Sequence, residues 1–287
     1  MKKQPIIALI AFLIASCWFV SCQNGTSQQG RDLQFEDISL KKSEHLFTDE
    51  SKPACQLSID FTFVSNANTI GAKDSLNAYI LSALFGKKYQ QLSPQEAMEG
   101  YAKEYVTNYR ADLEPMIQKD IDNHIDKDQL TAWYSYEQEL KGSIETYKGM
   151  LLSYCTYKNE YSGGPHGMYT TEFTNLNLST LQPILLDELF VEDYQETLTE
   201  LLWYQLALDN GVETRDELEE MGYATTGELA PTENFYISED GITFYYNVYE
   251  IAPYSMGPTQ ITLSYDMLEY ILNYDNKIIK ELIALWN

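Results

Sequence analysis

The sequence predicts an α+β fold: two associated α+β subdomains, each an antiparallel sheet flanked by helices. Three observations carry this expectation. Apolar residues alternate with polar ones at several places, most clearly Leu57, Ile59 and Phe61 between Ser58, Asp60 and Thr62, the period-two signature of a half-buried strand. Capped amphipathic helical runs lie between such strands. Several strands follow one another across Gly-containing turns, as hairpin neighbours do, without βαβ rhythm.

In chain order, the first element is an apolar run from Pro5 to Val20 behind Met1-Lys2-Lys3. A basic start, a short apolar segment and small residues at its end describe a secretory signal; a membrane span needs ~20 apolar residues. Phe19-Val20-Ser21-Cys22 has the form of a bacterial lipobox. Residues 1–21 are therefore expected to be a lipoprotein signal peptide and Cys22 the acylated residue. Cys17, after Ile14-Ala15-Ser16, is the alternative and would leave Trp18-Phe19-Val20 at the mature end. Residues 22–37 are expected to be a flexible tether, and the lipid to anchor the chain at the membrane. The expected location is the cell envelope, facing the periplasm.

A strand around residues 57–63 is followed by a helix near 74–85. Ser93-Pro94-Gln95-Glu96 combines an N-cap Ser, Pro at the first helical position and a capping-box Glu. Ala97, Tyr101, Tyr105, Tyr109 and Leu113 then recur every four residues, a spacing that reads as core packing more readily than as a sugar-binding face. Pro115 is expected to kink or divide this helix. Strands are predicted over 129–140, 144–161 and 168–178, the last two separated by Ser162-Gly163-Gly164-Pro165-His166-Gly167. A helix from about Asp193 carries Leu198, Leu202 and Leu206 on one side and stops near Gly211. Phe235-Ile237 and Ile242-Phe244-Tyr246-Val248 flank Glu239-Asp240-Gly241, a hairpin signal. Residues 251–258 form a loop, 260–263 a strand, Ser264 a helix cap, and a last helix turns Ile278, Leu282 and Leu285 inward.

The 287 residues carry 43 Asp+Glu against 19 Lys+Arg, a net charge of −24. That balance excludes nucleic acid, whose binding surfaces need clustered Lys and Arg. Loss of residues 1–21 removes two lysines and no acids, leaving −26 over 266 residues. With 23 Tyr and 11 Phe the chain has ample material for a core. Cys55 and Cys155 remain in the mature chain, and two readings stand open: a disulfide in an oxidising envelope, or two buried free thiols.

Catalytic motifs are sparse. His45, His124 and His166 are too dispersed for a zinc hydrolase, and no HExxH, GxSxG or paired CxxC occurs. No cofactor or metal is expected and no catalytic residue is assigned. The one loop that stands out is Tyr161-Ser162-Gly163-Gly164-Pro165-His166-Gly167. It reads either as a Gly-rich hairpin whose His bonds the backbone, or as a site with His166 as base beside Ser162 or an acid.

Three blocks together resemble a known family. They are Tyr161-Ser162-Gly163-Gly164-Pro165-His166; Asn175-Leu176-Asn177-Leu178 running on to Leu185-Leu186-Asp187-Glu188-Leu189-Phe190; and Asn234-Phe235-Tyr236-Ile237 through Tyr249-Glu250-Ile251-Ala252-Pro253-Tyr254-Ser255-Met256-Gly257-Pro258. They are similar to the paired extracellular domains of RsiV-type lysozyme-sensing anti-sigma factors and PdaC-type peptidoglycan deacetylases, over roughly residues 38–275. Pro165 departs from the Ala of that pattern, and Ser179-Thr180-Leu181 lacks its Gly. The resemblance implies a PdaC-like domain over 38–180 and an RsiV C-terminal-like domain over 181–287. It further implies the ectodomain pair alone, without the sigma-binding segment or the deacetylase domain. The implied function is recognition of a lysozyme-like muramidase or of peptidoglycan fragments, with contacts in the loops around Tyr161, Ser162, Gly163, Gly164 and His166, and around Pro253 and Tyr254. Two other readings are a cell-wall hydrolase using the Gly-Gly-Pro-His loop and a structural envelope lipoprotein.

Overall fold

The structure is a computed structural model that describes residues 32–164 and 166–286. The apolar run, Cys17, Cys22 and most of the tether lie outside the described residues, as do Pro165 and the side chain of Leu285.

The fold is α+β, with a six-stranded and a three-stranded sheet. In the first sheet, β1 (Leu33–His45) and β2 (Ala54–Ala67) pair antiparallel. The chain then crosses over through α1 (Ala72–Phe85), α2 (Pro94–Asp122) and α3 (Lys127–Tyr134) and returns as β3 (Tyr136–Lys148), parallel to β2. Next come β4 (Leu151–Tyr161), β5 (Met168–Asn177) and the two-residue β6 (Gln182–Pro183), each antiparallel to its predecessor. The alternation in β2 does what the pattern requires: Leu57, Ile59 and Phe61 are buried against Leu76, Ile80 and Leu81 of α1. Each such side chain contributes roughly 1.5–3 kcal/mol by leaving water. The opposite face carries Ser58, Asp60, Glu139 and Lys141 across β2 and β3, and Cys155 and Phe173 across β4 and β5, where Phe173 packs on Tyr236 and Tyr245.

β1 begins at Leu33, inside the segment expected to be tether. Leu33 is buried and Phe35 half-buried against the first core, so residues 33–37 belong to the sheet. The expected strand at 129–140 is corrected as well, because residues 127–134 are helical. Asp126 caps α3 by accepting from the Asp128 N–H at 2.9 Å, and Leu130 and Tyr134, four apart, are both buried. α2 starts on the expected capping box, with the Ser93 N–H donating to Glu96 Oε2 at 3.1 Å and the Glu96 N–H to Ser93 Oγ at 3.3 Å. It then runs unbroken through Pro115. Leu113 and Ile117 on either side of the proline are buried in one cluster with Leu46, Val106 and Leu130. That packing holds the helix together although the proline lacks an N–H.

The second unit contains β7 (Phe235–Ile237), β8 (Ile242–Tyr246) and β9 (Thr259–Leu263), antiparallel in that order. Around them lie α4 (Leu186–Leu189), α5 (Gln195–Asn210), α6 (Arg215–Met221), α7 (Tyr265–Leu268) and α8 (Lys277–Trp286). Leu198, Leu202 and Leu206 of α5 are buried against Phe235, Phe244 and Ile261, and Ile278 and Leu282 of α8 complete the core. The β7–β8 turn requires Gly241: at φ +142°, an added Cβ would lie 2.0 Å from the Leu263 carbonyl oxygen.

The two units share a boundary at the edge of β5. Because β6 pairs with residues 176–177, the backbone of Thr171 and Phe173 has no neighbouring strand on that side among the described residues. Two asparagines take its place. Asn247 Oδ1 accepts from the Thr171 N–H at 2.7 Å, and its Nδ2 donates to the Thr171 carbonyl at 3.1 Å. Asn234 Oδ1 accepts from the Phe173 N–H at 2.9 Å, and its Nδ2 donates to the same Thr171 oxygen at 2.9 Å. Asn175 returns the contact by donating to the Phe235 carbonyl at 2.7 Å. The expected boundary at 180/181 shifts accordingly, since β6 still belongs to the first sheet.

Cys55 and Cys155 are free thiols. Cys55 lies opposite Tyr136 on β3 and Cys155 opposite Ser143, seven residues further along the same strand. At ~3.3 Å per residue they are far outside the ~4.4–6.8 Å Cα separation of a disulfide. Burial pushes both thiols up to about 11.

Candidate binding site

The site is built where the β4–β5 turn meets the loop after β8. Gly163 and Gly164 adopt φ of +86° and +98°, a region that favours glycine. An added Cβ on Gly163 would lie 2.9 Å from the Trp133 carbonyl oxygen, so the turn is seated on the end of α3. The Tyr161 hydroxyl donates to the Gly164 carbonyl at 3.0 Å, and His166 Nδ1 lies 3.0 Å from the Gly167 carbonyl. Ser162 and His166 are exposed.

From the other unit, Tyr254 opens a short 3-10 turn at Tyr254–Met256. Its ring stacks on His166 with centroids 4.5 Å apart and planes 23° apart. Its hydroxyl donates to the Gly167 carbonyl at 3.1 Å. Tyr169 meets Tyr254 edge-on at 5.8 Å, and Tyr249 lies at 5.7 Å on another side. Tyr249 has φ +71° and leaves its side chain exposed. The structure thus joins the two candidate loops of the sequence into one aromatic cluster. Pro253 sits half-buried before it, its carbonyl accepting from the Met256 N–H at 3.0 Å.

A polar groove of about 570 Å³ on the solvent face of the first sheet adjoins this cluster, lined in part by Lys41, Ser58, Glu139, Asn159 and Tyr161. Glu139, Asn159 and Tyr169 form one row across β3, β4 and β5. Asn159 Oδ1 lies 3.5 Å from where a Cβ on Gly167 would stand, so the groove abuts the turn. Lys141 Nζ is 2.8 Å from a Glu139 oxygen and 5.7 Å from the Tyr157 ring centroid. The hydrogen bond that the Lys141 ammonium donates to Glu139 raises the Lys141 pKa. Burial, then the Glu139 charge, raises that of Tyr157.

Chemically, the arrangement offers aromatic faces beside amide, carboxylate and ammonium groups on a rigid sheet. Such a surface accepts a ligand with apolar ring faces and polar edges. His166 is engaged by the Gly167 carbonyl and the Tyr254 ring, and among the described residues no carboxylate or hydroxyl bonds to it. No group of three or more His, Cys, Asp or Glu placed to hold a metal occurs among the described residues. The Tyr row of α2 lies in the cores: Tyr109 is buried, Tyr101 and Tyr105 half-buried. Sequence reasoning missed Asn159, Tyr169 and Tyr249. Tyr169 and Asn159 sit on strands flanking the Gly-rich turn, and that adjacency is the one signal that pointed to them.

Fold and site define a two-sheet α+β protein with an open aromatic and polar surface where its two units meet. The chain belongs to the DUF3298 family: it is 45% identical to a family member from Bacteroides fragilis NCTC 9343 of known crystal structure, over 90% of this chain and 100% of that one, with a TM-score of 0.85. The family model described as "Protein of unknown function (DUF3298)" matches residues 187–266. A DUF3298 family protein from Pseudomonas aeruginosa PAO1 shares the fold at 15% identity and TM-score 0.61, over 85% of this chain and 96% of that one. The chain is also 26% identical, over 51% of its length, to the peptidoglycan-N-acetylmuramic acid deacetylase PdaC of Bacillus subtilis (strain 168). It spans about a third of that protein (32%).

Proposed function

We propose that this protein is a lipid-anchored recognition protein of the bacterial cell envelope that binds peptidoglycan-derived glycan or muropeptide. The observation that carries this reading is the stacking of Tyr254 on His166, which gathers Tyr169 and Tyr249 at the head of a polar groove. Aromatic faces pack on the C–H faces of sugar rings, while Asn159, Glu139 and the flanking lysines suit hydroxyl and amide edges. The distant similarity to PdaC supports a cell-wall-related role, and the apolar run with Cys22 supports the lipid anchor.

Titration calorimetry of the purified chain with muropeptides tests the reading. Saturable binding is expected, weakened about tenfold by Tyr254→Ala and much less by Tyr254→Phe. No heat change with muropeptides would sink it. A second reading, capture of a basic lysozyme-like muramidase, is favoured by the net charge of −24; it predicts lysozyme binding that falls steeply with salt. The hydrolase reading predicts turnover of cell-wall fragments that His166→Ala abolishes, whereas recognition predicts retained binding and no turnover.

A further inference from the structure

β1 ends the strand order of the six-stranded sheet, so its outer edge meets no strand among the described residues. The Leu46 N–H donates to the Pro53 carbonyl at 3.0 Å, just beyond the last β1 pair, His45 with Ala54. Bonded and non-bonded pairs alternate in an antiparallel ladder. Counting back, Glu44, Lys42, Leu40 and Ile38 turn their backbone groups toward β2, and His45, Ser43, Lys41, Ser39 and Asp37 turn theirs outward. The His45 carbonyl bears this out: it accepts from Arg110 Nε at 3.0 Å and Nη2 at 2.9 Å, outside the sheet. From Asp37 to Ser43 a row of donors and acceptors faces no strand among the described residues, an invitation to another strand.

The side chains indicate which strand. Glu36-Asp37-Ile38-Ser39-Leu40-Lys41-Lys42 is complementary to its own reverse. An antiparallel two-fold centred on Ser39 sets Asp37 opposite Lys41, Glu36 opposite Lys42 and Ile38 opposite Leu40, each twice by symmetry. Neighbouring registers lose this match. Centring on Leu40 opposes Glu36 to Glu44, on Lys41 opposes Lys41 to its own symmetry mate and Lys42 to Leu40, and on Ile38 leaves Asp37 facing Ser39. Asp37 accepts from Thr62 Oγ1 of the neighbouring β2 at 2.6 Å, and Lys42 lies 3.6 Å from Glu44 on β1 itself. Ile38 and Leu40 are half-buried at that edge and gain cover from the pairing.

We propose that β1 pairs with β1 of a second copy of this chain, antiparallel and centred on Ser39, joining two sheets into one. The two-fold stands perpendicular to the sheet, so both polar grooves open on the same side. A repeating polymer would then be met by two sites at once.

Sedimentation equilibrium and oxidative cross-linking of the full chain test this. Hydrogen-bonded partners have Cα atoms ~5.5 Å apart, within disulfide reach, whereas Lys41 and its symmetry mate stand ~14 Å apart, four residues along. Ser39→Cys is expected to form a disulfide dimer well above the wild-type background, and Lys41→Cys is not. Lys41→Asp is expected to weaken self-association about tenfold, and the Asp37→Lys, Lys41→Asp double variant to restore it. A wild-type chain that stays monomeric at its highest attainable concentration overturns the proposal. So does equal cross-linking at positions 39 and 41.

Discussion

At the scale of single residues, the β4–β5 turn shows how one missing side chain sets a site. Gly163 combines φ +86° with a Trp133 carbonyl 2.9 Å from where its Cβ would stand. Gly163→Ala is expected to cost about 1–3 kcal/mol, through backbone strain and displacement of the turn from α3, read as a lower urea midpoint. The same variant should weaken ligand binding, because His166 and the Gly167 carbonyl that receives Tyr254 are carried by that turn. The sequence made the turn visible through its glycines, and the aromatic loop through Pro253 and Tyr254. That the two touch was not legible, because 87 residues of chain lie between His166 and Tyr254 and no local pattern spans such a distance.

At the scale of elements, the asparagines on the β5 edge act as a substitute strand. Asn247 is buried at 8% exposure and makes both a donor and an acceptor contact with Thr171. Asn247→Ala leaves the Thr171 N–H without this acceptor, while the Thr171 carbonyl keeps the Asn234 donor, and is expected to cost about 1–3 kcal/mol in chemical denaturation. Asn247→Asp keeps the acceptor but sets a buried carboxylate oxygen against the Thr171 carbonyl and near Glu250, and should cost at least as much. The helix caps give a pH signature. The Ser93 hydroxyl, then its backbone N–H, lowers the Glu96 pKa below 4.5; the Thr214 hydroxyl, then the Glu213 and Thr214 N–H groups, does the same for Glu217. An acid depressed in the folded state stabilises it above its unfolded pKa, and that stability is lost as pH falls through the folded value. The Glu96→Gln, Glu217→Gln double variant should therefore show a flatter decline in urea midpoint below pH 4.5 than the wild type. These caps were legible because a capping box is local. Residues 129–134 were misread because Leu130, Trp133 and Tyr134 suit a strand by type, while their helical spacing is decided by burial of Leu130 and Tyr134 against α2. Leu33 and Phe35 carried strand alternation too short to stand out beside a polar tether.

At the scale of the whole molecule, charge opposes folding. With a net charge of −24, self-repulsion is expected to lower stability at low ionic strength. Raising NaCl from about 10 mM to about 150 mM shortens the screening length from ~30 Å to ~8 Å, and the thermal midpoint should rise by ~2–5 °C. The α+β class was readable from the alternation of short strands and capped helices. The parallel pairing of β2 with β3 was not, since only the packing of α1 and α2 over the same sheet face shows where the crossover returns.

The asparagine-lined seam also bears on how this molecule can be divided. A fragment cut at residues 187–266 would keep Asn234 and Asn247 but lose Thr171 and Phe173, their backbone partners. It would also shed Leu272, Ile279 and Leu282, which wall its own interior. Expressed alone, such a piece should precipitate or give the broad, non-cooperative melt of an unfinished domain.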